Sequence, residues 1–336
     1  MKPATALRRR RIAATLIGAG ASLWSGGAWR SPAQAQAKRP IRLALIGDVP
    51  YGRLEEQRLL EVFDDFATQV DLAIHVGDIK GSGERCSDAL LERRVSLLDR
   101  CPVPLVYTPG DNEWLDCWRE KAGGFDPEER LDWLRRRVFM DRLPILGRAP
   151  GASTGLDSIE QQSHIDGGPP ENLRWQAGGA CWITLNLPGS NNGLGASIAD
   201  EHRLARDRAN RRWLEASIAS ARDAGARAMI VAVQANPRFG RRMRVGDRSG
   251  IAPESGEDGY ASFRADLFRT QREFGKPMLL LHGDTHRFRH DWITPGLLRV
   301  ECFGSPFAQS WVKIEVDSTA DPPFRVSVQH LSSHPR

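Results

Sequence analysis

At 336 residues the chain is long enough to bury one large core, and five cysteines are too few for a disulfide scaffold. The formal charge of +5 sits at the amino end: residues 1–37 hold six of the 47 basic residues and none of the 42 acidic ones, which leaves 41 against 42. A remainder so near neutrality excludes a globally basic binder of nucleic acid or anionic membrane.

In chain order, Arg8 to Arg11 form a basic segment, Ile12 to Trp24 a short apolar one, and Ala35-Gln36-Ala37 a small-x-small cleavage site. This succession reads as a secretory signal peptide over residues 1–37, with the twin-arginine route open to it. Its apolar part is too short to span a bilayer, and no cysteine near the cut offers a lipid anchor. An exported protein, periplasmic or secreted and without a membrane anchor, is expected. Residues 38–336 contain no repeat, low-complexity tract or linker, so a single domain is expected there.

Ile41 to Ile46 is an apolar strand, and Leu59, Val62, Phe63 and Phe66 recur at helical spacing after it. Leu72 to Val76 is a second strand; Ser87 then caps a helix that buries Leu91, Val95 and Leu98. Val103 to Tyr107 is a third strand, and this rhythm predicts parallel strands with right-handed crossovers. Trp133, Leu134, Val138 and Phe139 predict a helix, and residues 144–170 a long surface loop. Further on come a strand over Cys181 to Leu187, a helix over Arg208 to Ala224, and a strand over Ala228 to Val233. A helix ending at Gly275 and a strand over Met278 to Leu281 follow. Three closing strands, Leu297 to Phe303, Trp311 to Val316 and Phe324 to His330, have no helices between them and are expected to be antiparallel. The arginines between 203 and 212 read as a solvated helix face.

Four of these strands finish the same way: Gly47-Asp48, Gly77-Asp78, Gly110-Asp111-Asn112-Glu113 and Gly283-Asp284-Thr285-His286. Strand ends of this kind are where α/β sheets bind ligands. Glycine lets the chain turn, and the aspartate projects over the sheet edge. Four carboxylates gathered on one edge repel one another unless a cation lies among them, which implies a site for two divalent ions. Cys86 and Cys117 lie in polar loops just beyond two of these motifs and are the expected disulfide pair. Cys181 and Cys302 read as core residues.

The ordered motifs resemble those of the calcineurin-like metallophosphoesterases, and the resemblance spans nearly all of residues 38–336. The helix bearing Arg212-Trp213-Leu214-Glu215 ahead of the strand that ends at Gln234, and the closing antiparallel strands, fit the same family. The resemblance implies an α/β fold of two mixed β-sheets sandwiched between helices. It also implies a two-metal centre and hydrolysis of a small phosphomonoester or phosphodiester. Its metal ligands fall on Asp48, Asp78, Asp111, Gln234 (with Asn236 as the alternative), Asp284 and His286, and Asp78 bridges. Where the family has a histidine after the first aspartate, this chain has Val49-Pro50, with Tyr51 nearby. Asp111 stands at the asparagine ligand, Asn112 at the catalytic histidine, and Asp284 at the first histidine of the last motif.

These substitutions run in one direction, from histidine nitrogens to carboxylate and amide oxygens. An oxygen-rich site suits Mg²⁺, Mn²⁺ or Ca²⁺ better than Zn²⁺. Asn112 can hydrogen-bond a phosphate oxygen but cannot serve as an acid. His282 is the nearest imidazole to take that part, and Lys80 could meet a substrate phosphate as a point charge. A protein that kept the fold and the metal site but lost turnover is the alternative to the hydrolase.

Overall fold

The computed structural model describes residues 39–140, 143–196, 198–239 and 257–331; the expected signal peptide lies outside them. Two sheets form the body. In the first, β1 (Ile41–Ile46), β2 (Leu72–His75) and β3 (Pro104–Tyr107) run parallel as neighbours. The short β4 (Leu146–Gly147) pairs antiparallel with β3 at one edge. The second sheet takes β5 (Glu160–Gln161), β6 (Leu173–Ala177), β7 (Ala180–Thr184), β8 (Ala228–Ala232) and β9 (Met278–His282). Its far edge is β10 (Arg289–Thr294) and β11 (Leu297–Glu301). The last two strands, β12 (Ser310–Val316) and β13 (Phe324–His330), return to the first sheet, giving the orders β13-β12-β1-β2-β3-β4 and β10-β11-β9-β8-β7-β6-β5.

Strand alternation sorts the core into layers. In β8, Ala228, Ile230 and Ala232 join the cluster that holds Leu43, Leu45 and Ile74, between the sheets. Met229 and Val231 turn the other way, onto Trp213 and Leu214 of the helix Asp200–Asp223 and Phe263 and Leu267 of the helix Ala261–Phe274. The first sheet is covered by the helices Gly52–Phe66 and Asp88–Leu98, through Leu59, Phe63, Val95 and Leu98. The expected helix, sheet, sheet, helix sandwich is thus present.

Differences from the sequence reading have local causes. Leu297–Glu301 is antiparallel to β10 but parallel to β9, so only β12 and β13 form the expected antiparallel tail. The helix expected from Arg208 begins at Asp200, because its first turns carry charges rather than an apolar stripe. Residues 144–170 are not a bare loop: Leu156, Gln161 and Gln162 are buried there. Gln161 donates to the Phe139 and Pro170 carbonyls, and Gln162 to that of Ala209. Ser87 accepts from Leu90 N–H as expected of a cap. Cys86 and Cys117 form the expected disulfide, and Cys181 and Cys302 are buried thiols. No helix among the described residues is long and apolar enough to cross a membrane.

Candidate active site

The Gly-Asp ends come from both sheets. β1, β2 and β3 deliver Asp48, Asp78 and Asp111, and β9 of the second sheet delivers Asp284. The edge expected from the sequence is therefore a seam between two sheets. It is closed where Asp284 N–H donates to Asp48 Oδ2 (2.9 Å) and Ser305 N–H to the Asp48 carbonyl (3.0 Å).

The glycines act differently from the expected turn makers. Asp48, Asp78 and Asp284 themselves take left-handed backbone, with φ of 52°, 56° and 83°, a conformation aspartate tolerates better than most residues. Of the four motif glycines only Gly77 has positive φ. Gly110 and Gly283 are needed for close approach. A Cβ at Gly110 would stand 2.1 Å from Asp78 Oδ1, and one at Gly283 would stand 2.3 Å from Asp48 Oδ2.

Asp78 lies at the centre of the hydrogen bonds. Its Oδ1 accepts from Asn112 N–H (3.1 Å) and its Oδ2 from the Asn112 side-chain amide (2.8 Å) and the Tyr51 hydroxyl (3.3 Å). Asn112 Nδ2 also reaches Tyr51 Oη at 3.1 Å, and that oxygen lies 3.4 Å from His286 Nε2. Tyr51 thus fills the space beside the first aspartate that the sequence leaves without a histidine. His286 Nδ1 donates to the Ser305 carbonyl (2.6 Å), which turns Nε2 and its lone pair toward Tyr51. Beneath them Glu113 accepts from Asp78 N–H, Gly110 N–H and the Tyr107 hydroxyl, tying strands two and three together.

The other acids are fixed by neighbouring loops. Asp111 Oδ2 accepts from Ser190 Oγ (2.6 Å), which also lies 3.0 Å from both oxygens of Asp116. Asp284 Oδ2 accepts from Asn236 N–H (3.0 Å). Gln234 Oε1 accepts from Gly189 N–H, and its Nε2 is buried without a partner. Ser190, Asn191 and Asn192 all have positive φ, between 48° and 57°. Non-glycine residues held this way store strain of about 1–3 kcal/mol each, which the surroundings must offset. In sequence a Ser-Asn-Asn turn carries no signal of chemistry, and Ser190 gains its part only from its place beside Asp111.

Two residues expected to act on substrate are placed elsewhere. Lys80 is fully enclosed, and its Nζ donates to the carbonyls of Asn112 (2.7 Å) and Gly81 (3.1 Å). It joins the loops behind Asp78 and Asp111 and has no exposed charge to offer a phosphate. His282 is also enclosed, with Nδ1 on the Gly283 carbonyl (2.9 Å). Burial, aided by Arg299, pushes its pKa down to about 3. A histidine held neutral in this way has no proton to give a leaving group at neutral pH.

Burial and mutual repulsion dominate the electrostatics. Asp48 and Asp78 are pushed well above the usual carboxylate range, first by burial and then by Asp284 and Asp111 respectively. Asp284 is raised to about 7 by burial and Asp111, and Asp116 to about 6 by the same two causes. The donor chemistry suits a hard divalent cation: Asp48 Oδ1 is buried with no partner. Oxygens of Asp111 and Asp284 also meet over the bare Cα of Gly189, 2.7 and 3.0 Å from where a Cβ would lie. Among the described residues, no three His, Cys, Asp or Glu side chains stand in a metal-holding arrangement, and donors of Asn112, Tyr51 and Asp284 engage oxygens of Asp78 and Asp48.

No protein-family model matches the sequence, and no curated protein does. Solved structures do match in shape. The GAP50 anchor in the inner membrane complex of Plasmodium is 10% identical, with a TM-score of 0.51 over 88% of this chain and 85% of that one. A dimetal phosphatase from Danio rerio is 13% identical, with a TM-score of 0.50 over 82% of this chain and 93% of that one. Identities this low establish the fold alone, and that fold is the one of the calcineurin-like metallophosphoesterases.

Proposed function

We propose that the protein is an exported, metal-dependent hydrolase of phosphoric esters, formed as one domain over residues 38–336 and acting on a small phosphomonoester or phosphodiester. The meeting of Asp48, Asp78, Asp111 and Asp284 at one seam carries the reading. All four are enclosed, burial and neighbouring carboxylates raise the pKa of Asp48, Asp78 and Asp284, and the fold has no structural use for so much charge. Asp48 and His286 would hold one divalent ion, and Asp111, Gln234 and Asp284 a second, with Asp78 between them. When bound, such ions neutralise the phosphoryl oxygens and lower the pKa of a water to supply hydroxide. The chain's own groups do the positioning. Asn112 and Tyr51 fix the Asp78 carboxylate, Ser190 orients Asp111, and the Ser305 carbonyl orients His286.

A second reading, a binding protein that holds metal and phosphate without turnover, is favoured by Asn112 itself. An amide that clamps Asp78 occupies the place of a proton donor. The fold serves an anchor in the Plasmodium protein as well as a phosphatase in the Danio rerio one. The test is to measure bound metal on the purified protein. Mono- and diesters are then assayed with added Mg²⁺, Mn²⁺, Ca²⁺ and Zn²⁺. Turnover abolished by Asp78→Asn supports the hydrolase, metal without turnover the binding protein, and no metal at all overturns both. Export is tested by sequencing the amino terminus of the extracytoplasmic protein, expected to begin near Lys38.

A further inference from the structure

Beside the third strand-end loop lies a cleft of about 690 Å³, within the usual size range of small-molecule sites. It runs between the helix Pro127–Leu134, the segment 167–170 and one face of the helix Asp200–Asp223. Trp114, Leu131, Pro169 and Pro170 give it apolar walls, and none of the four strand-end acids lines it.

Arg206 also lines the cleft. The sequence places it on a solvated helix face, yet it is only 7% exposed. Its Nη2 donates to the Asn192 carbonyl (2.8 Å) and Oδ1 (2.9 Å), and its guanidinium carbon lies 5.3 Å from the centre of the Trp114 ring. Two other arginines of the cleft are paired with carboxylates: Arg135 with Glu171 and Arg212 with Asp166. Arg206 forms no ion pair among the described residues, and Asp207 and Glu171 act on it only at a distance. Burial lowers its pKa to about 10, which still leaves it charged at neutral pH. A buried cation without a counter-ion is unfavourable unless something completes it. The three acids in the cleft wall face other partners: Glu128 and the exposed Glu201 face His202, and Asp132 faces Arg135.

We propose that this cleft binds a small organic anion, whose carboxylate or phosphate pairs with Arg206 while its body lies against Trp114 and Leu131. Arg208, exposed where the same helix borders the cleft, adds positive charge at the mouth. The site stands independently of the hydrolase reading but is physically joined to the acids. Arg206 grips Asn192, which closes the left-handed turn whose Ser190 holds Asp111.

The test is calorimetric titration of the purified chain, with chelator present, using phenylphosphonate, benzoate and inorganic phosphate. One of the two aromatic anions should bind one-to-one and more tightly than inorganic phosphate. Arg206→Gln should weaken that binding by roughly tenfold to a hundredfold, the value of a hydrogen-bonded charge. Because Arg206 also supports a turn, a second variant is needed. Ala205→Trp fills the cleft from an exposed helix position and should abolish binding while the protein still melts cooperatively. Asp78→Asn should leave binding intact. Failure of all three probes to bind, binding that survives Ala205→Trp, or binding lost in Asp78→Asn would each overturn the proposal.

Discussion

Asn112 holds Asp78 with both of its nitrogens, the backbone N–H on Oδ1 at 3.1 Å and the side-chain amide on Oδ2 at 2.8 Å. The clamp leaves the site without a proton donor where the family resemblance expects an imidazole. Hydrolysis should therefore depend steeply on how well the alcohol departs unaided. Aryl esters of acidic phenols should outrun alkyl esters by about 10²–10⁴ in kcat/KM, the range that general acid catalysis supplies. A plot of kcat/KM against leaving-group pKa checks this, and Asn112→His should flatten it. A flat plot for the unaltered protein would mean that another group protonates the leaving oxygen.

The enclosed acids predict that metal stabilises the fold. A divalent ion at a hundred times its dissociation constant should add about 2.7 kcal/mol. For a domain of this size that is a rise of about 4 °C in Tm. Mg²⁺, Mn²⁺ or Ca²⁺ should be more effective than Zn²⁺ on this oxygen-rich set, a chelator should reverse the shift, and Asp78→Asn should remove it. Scanning calorimetry with each ion gives the comparison.

The sequence exposed the acids but not their supports. The repeated Gly-Asp is legible because close approach at Gly110 and Gly283 and left-handed backbone at Asp48, Asp78 and Asp284 demand those residue types. Tyr51 could be noticed only as a neighbour of the missing histidine, since its contact with His286 joins positions far apart in the chain. Lys80 reads as a point charge for substrate and Arg206 as part of a solvated helix face because charge predicts exposure, yet both are enclosed: carbonyls hold the Lys80 ammonium, and Asn192 takes only one nitrogen of Arg206. β10 has no apolar pattern to betray it, since Arg289–Thr294 is largely polar and half-exposed at a sheet edge. β5 has only two residues, too few for any period to show.

The disulfide should matter to both stability and site. It joins the loop after Asp78 to the loop after Asp111 across 31 residues, and both sulfurs lie 3.5 Å from the Asn112 carbonyl that Lys80 also holds. Loop-closure entropy for that span corresponds to about 3–4 kcal/mol. The double variant Cys86→Ser, Cys117→Ser should lose that much in denaturant unfolding and bind metal more weakly. Unchanged metal affinity would show that Lys80 and Glu113 hold the two loops together without the bridge.

His75 gives the fold an acid limit. It is fully enclosed between strands, with Nε2 on the Val49 carbonyl (2.8 Å), and burial pushes its pKa down to about 4. The folded pKa lies below the ordinary value near 6.5, so the unfolded chain binds the extra proton first. Stability from this residue is then full above about pH 6.5 and falls as the pH drops toward 4, by about 2 kcal/mol between pH 7 and pH 5. His75→Gln should be less stable at pH 7 but lose less on going to pH 5. Equal slopes in denaturant titrations of the two proteins would assign the acid loss to other groups.

Gly189 offers a steric test of the second half of the metal site. Its φ is not positive, so alanine brings no backbone strain there. The nearest atoms a Cβ would meet belong to two carboxylates, Asp111 Oδ1 at 2.7 Å and Cγ at 2.9 Å and Asp284 Oδ1 at 3.0 Å. Both side chains must give way, which spreads the pair proposed to hold the second ion and leaves Asp48, Asp78 and His286 untouched. Gly189→Ala should therefore bind one divalent ion normally and the other at least about tenfold more weakly, a change of about 1.4 kcal/mol. Its thermal unfolding without metal should stay close to that of the unaltered protein. Metal titration with stoichiometry resolved is the measurement. Equal weakening of both ions would mean that Asp111 and Asp284 belong to one shared site rather than to a separate second one.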